Sequence, residues 1–386
     1  MTLSLQFSTP ALILAGIALL SAIYLLTVYR SFLMRIVRSR PSEKPETAKV
    51  PVSVVVYCRD EAQQLRALLP SILNQNYDAP FEVIVVNDGS SEDVKDVVNQ
   101  LLLTRSNLYI TYIPEQARNL SRRKLAVTLG VKAAHYPYVV LTNADAVISS
   151  PAWLSGITEP FSRGCELVIG HAAILPGKDN GLAGAWRRFD LAADAVSYLG
   201  CAVGGHPYRC TNYNVAFATS LFFSNKGFAR SLNLHNGDDD IFISEIATSD
   251  NTGVVISDDT RVNCDIFNPT KYYTLTKTGH AFTAQFLSRS SSRIMNSGPL
   301  MLAVTLGCLV AAAVISWPDA VMAIFGLIIA VTLWIILSGV WAKTLSRIGV
   351  KCPRILLPAM MLWRPVVSLY FRIASRFNRQ RNYTWV

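Results

Sequence analysis

Phe81-Glu-Val-Ile-Val-Val-Asn-Asp-Gly-Ser-Ser91 is a β-branched run that breaks off into polar, turn-forming residues. A run this short and apolar reads as a strand buried on both faces, as in a parallel sheet. Working outward, Val52-Ser-Val-Val-Val-Tyr57, Leu108-Tyr-Ile-Thr-Tyr-Ile113 and Tyr138-Val-Val-Leu-Thr142 repeat the pattern. Helix-spaced stretches separate them. From Arg59 onward, Leu65, Leu68, Leu69 and Ile72 share one face, and residues 92–103 and 120–134 also read as helices. This alternation predicts an α/β fold, a mostly parallel sheet with helices on both faces. Such sheets bind ligands beyond the carboxyl ends of their strands. Those ends carry Arg59-Asp60-Glu61, Asn87-Asp88 and Asn143-Ala-Asp145, so three polar clusters are expected on one edge.

The second half is less regular. Residues 166–169 read as a strand. Residues 181–198 are amphipathic, with Trp186, Phe189 and Tyr198 among Arg187 and Arg188. Both a membrane-interface helix and an ordinary domain helix fit that stretch.

The chain has 386 residues, 51% of them hydrophobic, and a mean hydropathy of +0.31. The apolar excess is localised. Residues 1–29, 294–318 and 320–342 carry no charged side chain, and three bilayer spans are expected near 10–29, 299–317 and 320–341. A cleaved leader fits the first span poorly: no basic residue precedes it, no small-residue cleavage site follows, and Arg30, Arg35, Arg38 and Arg40 come directly after. The positive-inside rule places residue 30 onward in the cytoplasm. Two further crossings, joined by a short outer loop at 317–319, return the chain there near residue 343, where nine Lys or Arg and no Asp or Glu follow. Residues 355–372, broken by Pro358 and Pro365, read as a helix pair lying on the inner surface.

The net charge of +10 is not a nucleic-acid signature. Residues 266–386 hold thirteen basic side chains against one acidic, and residues 30–49 six against two, which leaves the middle of the chain acidic. The basic parts flank membrane spans and suit anionic head groups. Seven scattered cysteines, with no CxxC pair, read as reduced thiols.

The chemistry these residues support is sugar transfer from a nucleotide diphosphate. The leaving diphosphate needs positive charge, and the acceptor hydroxyl needs a base. Asp145, with Asn143 on the same side of an extended segment, suits a hard cation. Alone, the triplet reads as a capped turn; its place after a buried strand makes it a candidate ligand. Asp88 either caps the helix near Glu92 or contacts nucleotide. Arg122, Arg123 and Lys124 are candidates for the phosphates. Gly237-Asp-Asp-Asp240 places a base at the start of a helix. His135, His171, His206 and His235 show no metal spacing and read as structural.

As a set, Val52 to Glu61, Val85-Val-Asn-Asp-Gly-Ser-Ser91, Arg122-Arg-Lys-Leu-Ala126, Thr142-Asn-Ala-Asp145 and Gly237-Asp-Asp-Asp240 resemble the inverting glycosyltransferase family 2, with the GT-A fold, over about residues 50–280. The span arrangement resembles a bacterial subgroup. The resemblance implies that Asp88 with Asp60 and Glu61 holds the base and ribose, and that Arg122, Lys124 and Asn143 lie on the donor side. It implies that Asp145 binds Mg2+ or Mn2+. The base would be Asp239, with Asp238 one register away. Tyr213 and Asn214, in Cys210-Thr-Asn-Tyr-Asn-Val-Ala-Phe217, would line the donor and acceptor pocket. Two departures stand out. Asn143 replaces the first carboxylate of the Asp-x-Asp motif. The Gln-x-x-Arg-Trp motif of processive synthases is absent, and Thr276-Lys-Thr-Gly-His280 occupies that stretch, leaving Lys277 and His280 as acceptor or diphosphate contacts.

The expected organisation is an N-terminal membrane helix (1–30), a basic linker (31–50), a GT-A domain (51–290), two membrane helices (294–342) and a basic interfacial segment (343–386). The expected protein is a multi-pass enzyme of the bacterial cytoplasmic membrane whose domain faces the cytoplasm. It moves one sugar from a nucleotide diphosphate sugar to a lipid-linked or glycan acceptor. A processive synthase and a catalytically degenerate scaffold are the alternatives.

Overall fold

The structure is a computed structural model that describes residues 8–39, 49–89, 92–114, 121–175, 177–287, 293–317 and 320–377. Most of the proline-marked linker at 41–51, Ser90-Ser91 and the centre of the expected outer loop lie outside the described residues.

α1 (Thr9–Tyr24) continues through a widened turn at Leu25–Tyr29 into α2 (Arg30–Arg38). Then come β1 (Val52–Cys58), α3 (Ala62–Leu73), β2 (Phe81–Asn87), α4 (Glu92–Leu102), β3 (Leu108–Tyr112), α5 (Arg122–Ala133) and β4 (Tyr138–Asn143). These are the strands and helices that the alternation implies. α3 starts three residues later than its apolar spacing suggests, because Asp60 takes a left-handed φ of 61° that no helix can hold.

Next follow β5 (Ala146–Val147), α6 (Trp153–Thr158), β6 (Leu167–Ile169), β7 (Ala172–Ile174), α7 (Gly181–Val203), β8 (Val215–Ala218), α8 (Thr219–Ser224), α9 (Ile241–Ile246), β9 (Thr252–Val254), β10 (Val262–Cys264) and α10 (Pro269–Thr283). α11 (Arg293–Ile315), α12 (Ala320–Arg347) and α13 (Leu357–Phe377) complete the chain.

The main sheet runs β3-β2-β1-β4-β8-β6-β9. The first four strands are parallel, whereas β8 is antiparallel to both neighbours, and β6 and β9 are again parallel. A small sheet, β5-β10-β7, braces the segment after β4. Alternate residues of each strand feed two cores. Val54, Val56, Val83 and Val85 pack with α3, α4 and α6; Val55, Ile84, Val86 and Val139 pack with α5 and α7. α7 is buried along most of its length, so it is a domain helix rather than a membrane-surface one.

Among the described residues, three helices are long and apolar enough to cross a bilayer: Thr9–Arg38, Arg293–Ile315 and Ala320–Arg347. The Ser21 and Thr305 hydroxyls bond at 2.7 Å between α1 and α11. A Cβ on Gly298 would lie 2.2 Å from the Tyr29 ring, so only glycine permits the close approach there. These helices do not stand apart from the domain. Leu33 and Ile36 of α2, Trp341 and Leu345 of α12, and Leu357 and Met361 of α13 belong to the same core as Phe189 and Val196 of α7. The segment expected as a helix pair is instead one helix, α13. Pro358 sits in its first turn, where no N–H is needed, and Pro365 is accommodated within it.

Helix α5 lies against β1 through Gly130, whose Cβ would come 2.3 Å from a Val55 methyl. Val55 is a stiff side chain in a central strand and cannot move aside. Gly130→Ala is therefore expected to destabilise the protein by about 1–3 kcal/mol despite its better helix propensity. Thermal unfolding in detergent reads this, and the double variant with Val55→Ala should recover most of the loss.

Candidate active site

The carboxyl ends of β1, β2 and β4 bring the expected clusters to one edge. At β2, Asp88 is buried, accepts from the Tyr57 hydroxyl at 2.6 Å and is ion-paired with Arg122. Asp60 lies exposed beside Gly89, where a Cβ would run into its carboxylate. This left-handed residue and its glycine neighbour shape the rim. At β4, Asn143 is buried, and Asp145 accepts from the Tyr213 hydroxyl at 2.9 Å.

A cavity of about 440 Å³ adjoins this edge, lined by Arg123, Asn143, Tyr213, Asp238, Asp239 and His280 among others. Asp145, Glu61 and Asp88 are outside its lining; Tyr213 joins the two regions, its ring in the cavity wall and its hydroxyl on Asp145.

Three consecutive carboxylates enter three environments. Asp240 caps α9, accepting from the Ile241 N–H at 2.7 Å, and is held by Arg209 at 3.1 Å and by the Thr283 hydroxyl. Asp238 pairs with Arg123 at 2.7 Å. Asp239 meets His280 Nε2 at 3.1 Å and is partly exposed to the cavity. Burial pushes the Asp238 carboxyl up, and Arg123 offsets this only in part. Burial also works against ionised Asp239, but His280, through charge and hydrogen bond, and Arg209 hold it below the ordinary carboxylate range. The two neighbouring carboxyls are thus pushed in opposite directions, with the ionised form favoured at Asp239 and disfavoured at Asp238.

A divalent cation fits the sheet edge. Glu61 is pushed up to about 7, by burial first and then by repulsion from Asp145 and Asp60, which outweigh a backbone N–H donated by Arg59. Burial likewise holds Asp145 above its ordinary range, although the Tyr213 hydroxyl and Arg123 pull it down. Asp145 raises the proton affinity of Glu61, and Asp265 adds to burial at Asp145; clustered carboxylate oxygens of this kind suit a hard cation. Among the described residues, Asp239, Asp240 and His280 also bring ligand atoms within 4.8 Å of one another. That group fits a metal less well, because Arg209 and Thr283 already engage Asp240.

Several expected contacts point elsewhere. Lys124 is fully buried, and its ammonium donates to the carbonyls of Ser231 (2.5 Å), Leu234 (3.1 Å) and Asn236 (2.8 Å), not toward the cavity. Burial pushes it down to about 8. Asn214 is an internal brace: it donates to the His171 and Thr260 carbonyls and accepts from the Trp153 indole. Lys277 is locked between Asp190 (3.0 Å) and Asp194 (2.7 Å), which Arg364 of α13 also grips. Arg123, one of three basic candidates at the head of α5, is the one that enters the cavity. It donates to Asn143 Oδ1 at 2.8 Å, pairs with Asp238 and lies 5.1 Å over the Tyr57 ring. Arg209, which the sequence reading passed over, immediately precedes the Cys210–Phe217 segment and supplies the buried charge beside Asp239 and Asp240.

A family model described as "Glycosyl transferase family 2" matches residues 53–210. A hyaluronan synthase from Pasteurella multocida is 31% identical over 132 residues, covering 34% of this chain and 13% of that protein. A poly-beta-1,6-N-acetyl-D-glucosamine synthase from Staphylococcus epidermidis is 28% identical over 102 residues, covering 26% and 23%. The matches thus span under a quarter of the length of these curated relatives. A mannosyltransferase from Pyrobaculum calidifontis, solved in complex with GDP-Man and Mn2+, superposes over 92% of this chain and 99% of that one, with a TM-score of 0.54 and 17% identity. That likeness carries the GT-A fold and not a substrate.

Lys124→Met would leave three carbonyls unpaired inside the protein. The expected cost is about 3 kcal/mol or more, read as a fall in detergent Tm of more than about 5 °C.

Proposed function

We propose that this chain, which carries a glycosyl transferase family 2 domain, acts as a membrane-held inverting glycosyltransferase. It moves one sugar from a nucleotide diphosphate sugar to a lipid-linked or cell-envelope acceptor. The observation that carries this is geometric: Asp239, held by His280 at 3.1 Å, faces a cavity whose wall residue Tyr213 bonds Asp145 at the sheet edge.

In this reading Asp239 accepts the proton of the acceptor hydroxyl as its oxygen bonds the anomeric carbon. The bond from that carbon to the diphosphate breaks on the opposite face, and the configuration inverts. His280, at 3.1 Å, donates to Asp239 and orients it. Asp145, with Glu61 nearby, would hold Mg2+ or Mn2+, which supplies charge for the departing diphosphate. Asn143, in place of the motif's first carboxylate, presents its oxygen to the Arg123 guanidinium. Asp60 and Asp88 border the nucleotide, Asp88 through its fixed pair with Arg122. In this reading the domain lies on the cytoplasmic face of a bacterial inner membrane, which the apolar helices and the distribution of basic residues support.

A processive synthase is the second reading, favoured by the names of the polysaccharide synthases that the chain resembles. It predicts long products, whereas single transfer predicts one added sugar per acceptor.

Nucleoside diphosphate release from a panel of UDP-, GDP- and dTDP-sugars, with membrane lipid extract as acceptor, tests the assignment. Asp239→Asn should lower release by about 10²–10⁴-fold. Chelation should abolish it, and Mn2+ or Mg2+ should restore it. Release undiminished in Asp239→Asn would remove this residue as base. In His280→Gln the partner that depresses Asp239 is gone, so its pKa rises and the acid limb of the pH–rate profile should move to higher pH. An unmoved limb would leave His280 with a packing role alone.

A further inference from the structure

A second cavity, of about 850 Å³, lies between α7, α10, α11 and α13. It meets the catalytic cavity at Arg209 and His280, which line both. Its charge is one-sided. Arg209, Lys277, Arg364, Arg372 and Arg376 line it, and Asp194 is the one lining carboxylate among the described residues. Lys277 and Arg364 already engage Asp194. The surplus rests on Arg372 and Arg376, which are exposed and pair with no carboxylate among the described residues.

The position of the cavity is as informative as its charge. Arg364, Arg372 and Arg376 recur at helical spacing, so one face of α13 walls it. The rest of α13 exposes Trp363, Val366, Leu369, Tyr370, Ile373 and Phe377. An exposed apolar face opposite a basic one is the pattern of a helix lying in a bilayer surface. Met295 and Asn296, in the first turn of the α11 span, line the same cavity. The chamber therefore opens at head-group depth, with arginines at one end and the Asp239–His280 pair at the other.

We propose that this chamber binds the phosphate or diphosphate head group of a long-chain lipid, whose tail stays in the bilayer. Arg372 and Arg376 engage the phosphate, and the group that the head carries reaches Asp239 past His280. The site rests on the glycosyltransferase reading for its purpose, but binding can be measured without catalysis. Guanidinium forks match phosphate oxygens, so two such contacts carry much of the affinity.

The test uses the full chain in phosphatidylcholine nanodiscs with a benzophenone-tailed polyprenyl phosphate as photo-crosslinking probe. Saturable labelling is expected in the parent and in Asp239→Asn. It should fall about tenfold or more in the double variant Arg372→Gln/Arg376→Gln, and Arg372→Lys/Arg376→Lys, which keeps the charge but not the fork, should recover it only in part. Undiminished labelling of the Gln pair would overturn the proposal. So would displacement of the probe by inorganic phosphate at matched concentration, which means a free-anion site, or by phosphatidylglycerol, which means a general response to surface charge. If labelling behaves as expected while the parent releases no nucleoside diphosphate from any donor, the lipid site stands and the transferase reading fails.

Discussion

The acidic loop depends on a lysine buried away from the cavity. Lys124 projects from the first turn of α5 into a cage of carbonyls at Ser231, Leu234 and Asn236. Without an internal cation this stretch of irregular backbone would turn its carbonyls toward water. With it, the loop ends at a fixed point, and Asp238 to Asp240 follow at once. Arg123, the preceding residue, leaves the helix in another direction to reach Asp238 and Asn143. One helix turn thus sets both the height of the acidic loop and its distance from the sheet edge.

The acidic triplet shows how position converts like residues into unlike ones. Asp240 is spent on structure, closing α9 and neutralising Arg209. Asp238 is spent on Arg123. Asp239 has the most exposed side chain of the three, and the nearby His280 and Arg209 favour its charged form. The register within Gly237-Asp-Asp-Asp240 is ambiguous by one as text, between Asp239 and Asp238. In the structure Asp238 pairs with Arg123 and Asp239 with His280, contacts that the local sequence does not show.

Much of the fold was legible because a parallel strand buried on both faces needs β-branched side chains, and a span needs uncharged ones. β1, β2, β4 and the membrane helices answer to those rules. β8 did not: Val215-Ala-Phe-Ala218 is short, half alanine, and sits within a stretch read for its pocket chemistry. The misplaced site residues share one cause. Lys124, Asn214 and Lys277 find their partners 107, 46 and 83 residues away in sequence. A motif shows that a polar group stands at a position but not which way it points, and the deciding partner lies far along the chain. Pro365 misled for a related reason, since a proline weakens a helix locally while Arg364 anchors it through Asp190 and Asp194 on α7.

The core shared by α2, α7, α12 and α13 makes the anchor part of the enzyme's interior. Phe32 and Leu33 are as hidden as Phe189, and Trp341 packs tilted against that ring at a centroid distance of 5.1 Å. A fragment beginning after the linker and ending before α11 would present the inner wall of its own core to water. Nor could the spans be exchanged for those of an unrelated protein of equal length and hydropathy, because they carry shape as well as greasiness. In such a molecule the domain and its membrane helices are inherited, and lost, together.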